Sequence, residues 1–222
     1  MKLWGKRRNL LGFLLVFSPA VFLIFISTRG CKHQFKTLDD YGALSHYSFV
    51  DAQGKRRNYS EFNGEVIIIT TLQKSCPWDC SVSLWRLDQI LYQHIRNNSH
   101  KQLKKVRILS FVTDGKGQPV KDLSTVDQML KREVEGYDPK LWIIASGDVR
   151  SIYDIKHNNQ TLLQEGRQYY GGEGYQELIL LADKNNHLRM VLKGNQEGLI
   201  RRMKESLALL LKQYDKNRAN RN

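Results

Sequence analysis

The chain has 222 residues, 41% of them hydrophobic, with 35 Lys and Arg against 22 Asp and Glu for a net charge of +13. That apolar content excludes a wholly disordered polymer, and three cysteines are too few for a disulfide-stapled scaffold. The positive charge invites a nucleic-acid reading, but it is dispersed and no recognised nucleic-acid motif accompanies it, so no nucleic-acid partner is expected.

At the N-terminus, residues 10–27 form an apolar run interrupted at Ser18 and Pro19 and closed by Ser27. This is about the minimum length for a membrane-spanning helix. Lys2, Lys6, Arg7 and Arg8 precede it, which keeps residues 1–9 cytoplasmic and sends the remainder across the membrane. The absence of a small-x-small site after the run favours an uncleaved anchor over a secretory signal. Cys31 offers a lipid-attachment alternative, although Arg29 makes a poor lipobox. The expected organisation is a cytoplasmic N-terminus (1–9), an anchor (10–27), a linker (28–44), one domain (45–213) and a disordered basic tail (214–222). The protein is thereby expected in the inner membrane as a single-pass protein with an extracytoplasmic domain.

Tyr47–Val50 and Arg57–Tyr59 flank the turn residues Asp51–Gly54, a β-hairpin pattern. A helical turn at Ser60–Phe62 leads to the buried strand Val66–Thr71. Cys76 and Cys80 follow, with Pro77 suited to a first helical position and Cys76 to the N-cap. Cys80, Leu84, Leu87, Leu91 and Ile95 then predict one apolar helical face ending near Asn97. Strand 106–112, helix 122–135, strand 141–145 and a short helix 149–155 come next. The polar stretch 158–176 reads as a long loop. Strands 178–182 and 188–192 form a hairpin through the turn 183–186, and a terminal helix covers 196–213. Strands alternating with helices imply an α/β fold, a mixed sheet covered on both faces.

Two thiols four residues apart after a strand read as a dithiol site, against the plainer alternative of two small buried hydrophobes. A helix N-terminus would stabilise a Cys76 thiolate, making it the first nucleophile or metal donor, with Cys80 resolving or completing the pair. Asp79 opposes a second negative charge nearby, and Lys74 compensates in part. Such a pair can close a disulfide or hold one soft cation such as Cu(I), and the spacing does not choose. Trp78 between the thiols would offer an apolar contact to a partner, or pack as a core aromatic.

The order hairpin, Phe62-Asn63-Gly64-Glu65-Val66, hydrophobic strand, Cys76-Pro77-x-x-Cys80, long helix resembles the Sco/SenC family of membrane-anchored copper proteins. Phe111-Val112-Thr113-Asp114 with Pro119 resembles that family's strand-end aspartate and downstream proline. Leu141–Gly147 resembles its W-x-x-L-T-G strand. The resemblance implies a thioredoxin-like fold and a part in maturing the copper-A centre of cytochrome c oxidase, by copper delivery, thiol reduction of a client protein such as an oxidase subunit, or both. It implies Cys76 and Cys80 as copper ligands, with Cu(I) favoured. It also implies a histidine ligand before the strand 178–182, and counting back from Asp183 that place falls at or beside Tyr175. Tyrosine is a hard donor and a poor Cu(I) ligand.

Of the six histidines, His33, His46, His94 and His100 are expected far from the thiols. His187 sits in the hairpin turn at the opposite strand end, and His157 leads into the long loop. Alternatives to the copper reading are a thiol–disulfide oxidoreductase without copper function, and a non-catalytic membrane-tethered module with a static disulfide.

Overall fold

Val66–Gln73 reads VIIITTLQ and is buried at every position except the last, as a strand covered on both faces must be. In a computed structural model, which describes residues 17–24, 37–76, 82–153, 156–157, 160–161, 164–165, 168–169 and 174–219, this strand, β3, is central. The chain divides into two units, Met1–Lys36 and Thr37–Asn222. In the first, residues 17–24 are helical and exposed. Most of the expected anchor, 10–27, lies outside the described residues. Among the described residues no helix is long and apolar enough to cross a membrane.

The second unit is a seven-stranded mixed sheet. Strands β1 (Ser48–Asp51) and β2 (Arg56–Asn58) form the expected N-terminal hairpin. Asp51 Oδ1 accepts from the amides of Gln53 and Lys55, and Gly54 takes the positive φ of 78° that closes the turn. Strands β4 (Val106–Thr113) and β5 (Trp142–Ser146) extend β3 in parallel. Residues beyond β5 pass through the short helix α3 (Arg150–Tyr153) and four two-residue strands: β6 (Lys156–His157), β7 (Gln160–Thr161), β8 (Gln164–Glu165) and β9 (Gln168–Tyr169). The hairpin β10 (Leu178–Ala182) and β11 (Leu188–Lys193) completes the order β11-β10-β3-β4-β5-β1-β2. Alternation along β3 sends Val66, Ile68 and Leu72 to one face and Ile67 and Ile69 to the other.

On the first face lie α1, composed of Leu84–Arg86, Leu87–Tyr92 and Gln93–Arg96, then α2 (Ser124–Glu133) and α4 (Glu197–Ala219). The middle segment of α1 is a π-helix. Its widened turn brings Leu87, Ile90, Leu91 and Tyr92 all into burial, with Tyr92 5.3 Å from the ring of Trp142 and its hydroxyl bonded to Gly136 O. On the other face Phe49, Phe62, Phe111, Tyr153 and Tyr175 form an aromatic-rich second core.

Four expectations are corrected. The N-cap of α1 is Ser83, with ψ 106°, and not Cys76. Ser83 donates its amide to Gly194 O, and Val82 is fully buried, so a tertiary contact fixes this start. The tail 214–222 is helical through Ala219, because Asp215 bonds Gln102 and the ring of Tyr214 packs under Lys184. Residues 37–44 of the expected linker belong to the domain: Tyr41 and Leu44 donate their amides to Leu188 O and Asn186 O, and buried Arg189 holds Leu38 O, Asp39 O and Asp183. The stretch 158–176, expected as loop, contains β7, which pairs with β6 just before it, the antiparallel pair β8–β9, and most of a 3-10 turn, Gly174–Glu177.

Candidate functional site

Cys76 lies just beyond the carboxyl end of β3, where parallel α/β sheets place their ligands and chemistry. Lys74 donates its amide to Thr113 O at the end of β4, and Cys76 donates its own to Gln73 O at 3.2 Å, so the chain leaves the sheet in a tight turn. The Cys76 side chain is half-buried and disulfide-bonded. Cys80, Pro77, Trp78 and Asp79 lie outside the described residues, as do Cys31 and His33. Because α1 is capped at Ser83, its dipole, which fades within the first turn, supplies no argument for a Cys76 thiolate. Lys74 is engaged elsewhere: its Nζ meets Asp122 Oδ2 at 3.2 Å. Asp122 is pushed down to about 2, chiefly by hydrogen bonds from the Ser124 hydroxyl and amide and then by Lys74.

Beside Cys76, the exit of β4 forms a tight loop. Asp114 Oδ1 accepts from the amides of Lys116 and Gln118, each at 2.8 Å, and Thr113 bridges Pro119. The strand-end aspartate therefore shapes the loop. Gly117 takes φ 76°, and a β-carbon there would strike the Tyr175 hydroxyl.

The 3-10 turn carrying Tyr175 packs against these strand ends. Tyr175 is buried, its hydroxyl donates to Gly117 O at 3.0 Å, and its ring lies 5.3 Å from that of Tyr153. Burial, with Tyr175 adding, raises the phenol of Tyr153 well above its ordinary range. The Thr71 hydroxyl donates to Gln176 O at 2.6 Å. The Gln176 side chain meets Thr113 Oγ1 at 2.6 Å; with its nitrogen turned to Thr113 and to Asp114 O, its oxygen accepts from Gly117 N. Thr71, Thr113, Gly117 and Gln176 thus form a buried polar lattice behind the turn that carries Cys76. Sequence reasoning missed it: Asp114 and Pro119 are read only through the family resemblance, which names none of these partners.

Among the described residues the donors do not make a two-sulfur, one-nitrogen copper site. Tyr175 holds the expected histidine place with its hydroxyl committed to Gly117, and among the described residues no group of three His, Cys, Asp or Glu could hold a metal. His157 is on β6, in register with Gln160. His187 binds Asp40, His46 stacks on Tyr59, and His100 faces Asp215.

No family model and no curated protein matches the sequence. Solved structures do match in fold. BsSco, a member of the Sco family of cytochrome c oxidase assembly proteins in which a disulfide switch was identified, superposes with a TM-score of 0.51 at 14% identity, over 77% of this chain and 97% of its own. The domain has a Sco-like thioredoxin fold. Yeast Sco1 with copper bound matches at a TM-score of 0.50 and 15% identity, over 75% of this chain and 89% of that one. A candidate protein disulfide isomerase from Bacteroides thetaiotaomicron matches at 0.51 and 10%, over 80% and 95%. The expected thioredoxin-like sheet thus agrees with the fold found, and that fold is shared by Sco assembly proteins and thiol–disulfide proteins.

Proposed function

We propose that this chain is a membrane-anchored, extracytoplasmic Sco-like protein whose Cys76–Cys80 dithiol acts on the thiols of a client in assembly of the cytochrome oxidase copper-A centre. The observation that carries this is Cys76 itself, disulfide-bonded at the carboxyl end of the central strand of a Sco-like fold. In the reductive direction the Cys76 thiolate attacks a client disulfide, forming a mixed disulfide and releasing one client thiolate. Cys80 then attacks Cys76 Sγ, releases the second client thiolate and closes Cys76–Cys80, so two electrons pass to the client. An extracytoplasmic dithiol reductant must restore the pair.

Copper enters as cargo. Two thiolates suit Cu(I), which accepts low coordination by soft sulfur. The alternative of a thiol–disulfide oxidoreductase without copper is favoured by Tyr175, a hard donor already bonded to Gly117. A static disulfide module is the third reading. Titrating the fully reduced chain with Cu(I), and equilibrating it against glutathione and dithiothreitol buffers, separates the three. One copper per dithiol supports delivery, a measurable potential without copper retention supports the oxidoreductase, and resistance to both reductants supports the static module.

A further inference from the structure

At the amino end of β3, opposite the dithiol, lies a cavity of about 320 Å³. Eight strand residues separate the two ends, about 26 Å at the usual rise per residue. Its charged lining comes from three elements distant in sequence: Lys105 before β4, Lys184 in the β10–β11 turn and Arg218 in the last turn of α4. Among the described residues no carboxylate lines it, and none of these three cations forms an ion pair there. Lys184 is fixed there, its Nζ 4.8 Å over the ring of Tyr214 and its amide donating to the Tyr214 hydroxyl. Arg218 alone would be explained by the negative end of α4, but Lys105 and Lys184 belong to other elements and bring two further positive charges to the same lining. Leu211, Val66 and the Tyr214 ring supply an apolar wall beside the charges.

We infer that this cavity binds a phosphate group borne on an organic substituent, either an anionic lipid headgroup or a small soluble phosphate ester. Two ammonium groups and a guanidinium can balance a phosphate, the guanidinium bidentately, while the apolar wall receives the substituent. The path of the chain bears on the source. Residues 37–44 run against the β10–β11 turn that carries Lys184, with Leu44 donating its amide to Asn186 O and Ala43 bridging His187. The described domain therefore begins at its cavity end. The lipid source rests on the proposed anchor; the phosphate site does not.

The test uses the full chain in nanodiscs and reads hydrogen exchange of peptides covering 102–106 and 211–219. In discs of neutral lipid, inorganic phosphate should protect these peptides saturably. K105A/K184A/R218A should raise the phosphate midpoint at least tenfold, while K121A/K140A/R202A, which removes the same charge elsewhere, should shift it less than twofold. Discs containing phosphatidylglycerol should protect the same peptides with no phosphate added if the source is lipid; no difference, with phosphate still protecting, assigns a soluble ester. Absence of phosphate protection, or equal loss in both triple variants, overturns the site. A chain that fails to incorporate into discs counts against the anchor alone, and the phosphate titration run in solution then decides the cavity.

Discussion

The hydroxyl of Tyr175 donates to the carbonyl of Gly117 at 3.0 Å, tying the segment before β10 to the loop that leaves β4. The bond joins the two stretches that flank the end of β3, and it also closes the space that a side chain at 117 would need.

Tyr175→Phe should cost about 1 kcal/mol, the net worth of one such bond, and should speed hydrogen exchange in residues 114–119. Gly117→Ala should cost about 1–3 kcal/mol, because it adds left-handed strain to a collision with the phenol. The double variant should lose less than the sum, since removing the hydroxyl relieves the collision. Denaturant unfolding of the three variants checks this, and strict additivity would show that the contact does not couple the two positions.

A second prediction concerns the centre of the sheet. Ser110 Oγ on β4 lies 2.7 Å from Thr70 Oγ1 on β3 and accepts from Trp142 Nε1 on β5 at 2.9 Å, with all three residues fully buried. Ser110→Ala strands two buried polar groups and should destabilise by about 2–4 kcal/mol. Thr70→Val in that background should recover part of the loss, because it removes one stranded group while keeping the shape. Thermal or urea unfolding distinguishes recovery from further loss.

The elements that could be read from the sequence are those whose local pattern agrees with their environment. β3, both hairpins and α2 carry period, turn residues and apolar content that need no distant partner to interpret. The start of α1 was not legible, because Val82 and Ser83 are fixed by Gly194, more than a hundred residues away. The extension of α4 was hidden similarly: a basic composition suggested fraying, whereas Tyr214 and Asp215 find partners at Lys184 and Gln102. At the site, Tyr175 could be placed by counting from Asp183, but the lattice of Thr71, Thr113 and Gln176 could not. Those residues meet only when β10 is laid antiparallel against β3.

The pH dependence of stability should include a component from His94. Burial, and then the positive charge of Lys204, lower its pKa below the usual 6.5. A depressed folded-state pKa means the unfolded chain takes up the proton first as pH falls. The contribution is therefore complete above about pH 6.5 and is lost as pH drops through the lower folded value. His94→Gln should flatten the fall in Tm between pH 7 and pH 5 relative to the parent chain. Asp122, lowered to about 2, acts in a separate window below the ordinary 3.8 and does not obscure the comparison.

The final prediction joins the dithiol to copper. Oxidation should pair Cys76 with Cys80, because four residues can be closed locally, whereas Cys31 follows the expected anchor. Peptide mapping of the oxidised full chain decides this; a dominant bridge to Cys31 would sink the site. The reduced chain should then take Cu(I) through two sulfurs in an exchangeable, low-coordinate site and should bind Cu(II) poorly, since Tyr175 is a hard donor committed to Gly117. Tyr175→His should add a nitrogen donor and tighten copper binding by an order of magnitude or more. It also sacrifices the bond to Gly117, so Tyr175→Phe is the matched control for that loss. X-ray absorption of the parent chain should show sulfur without imidazole. An imidazole signature there would overturn the two-sulfur site, and His157, in the first of the small ladders, would be the first histidine to replace.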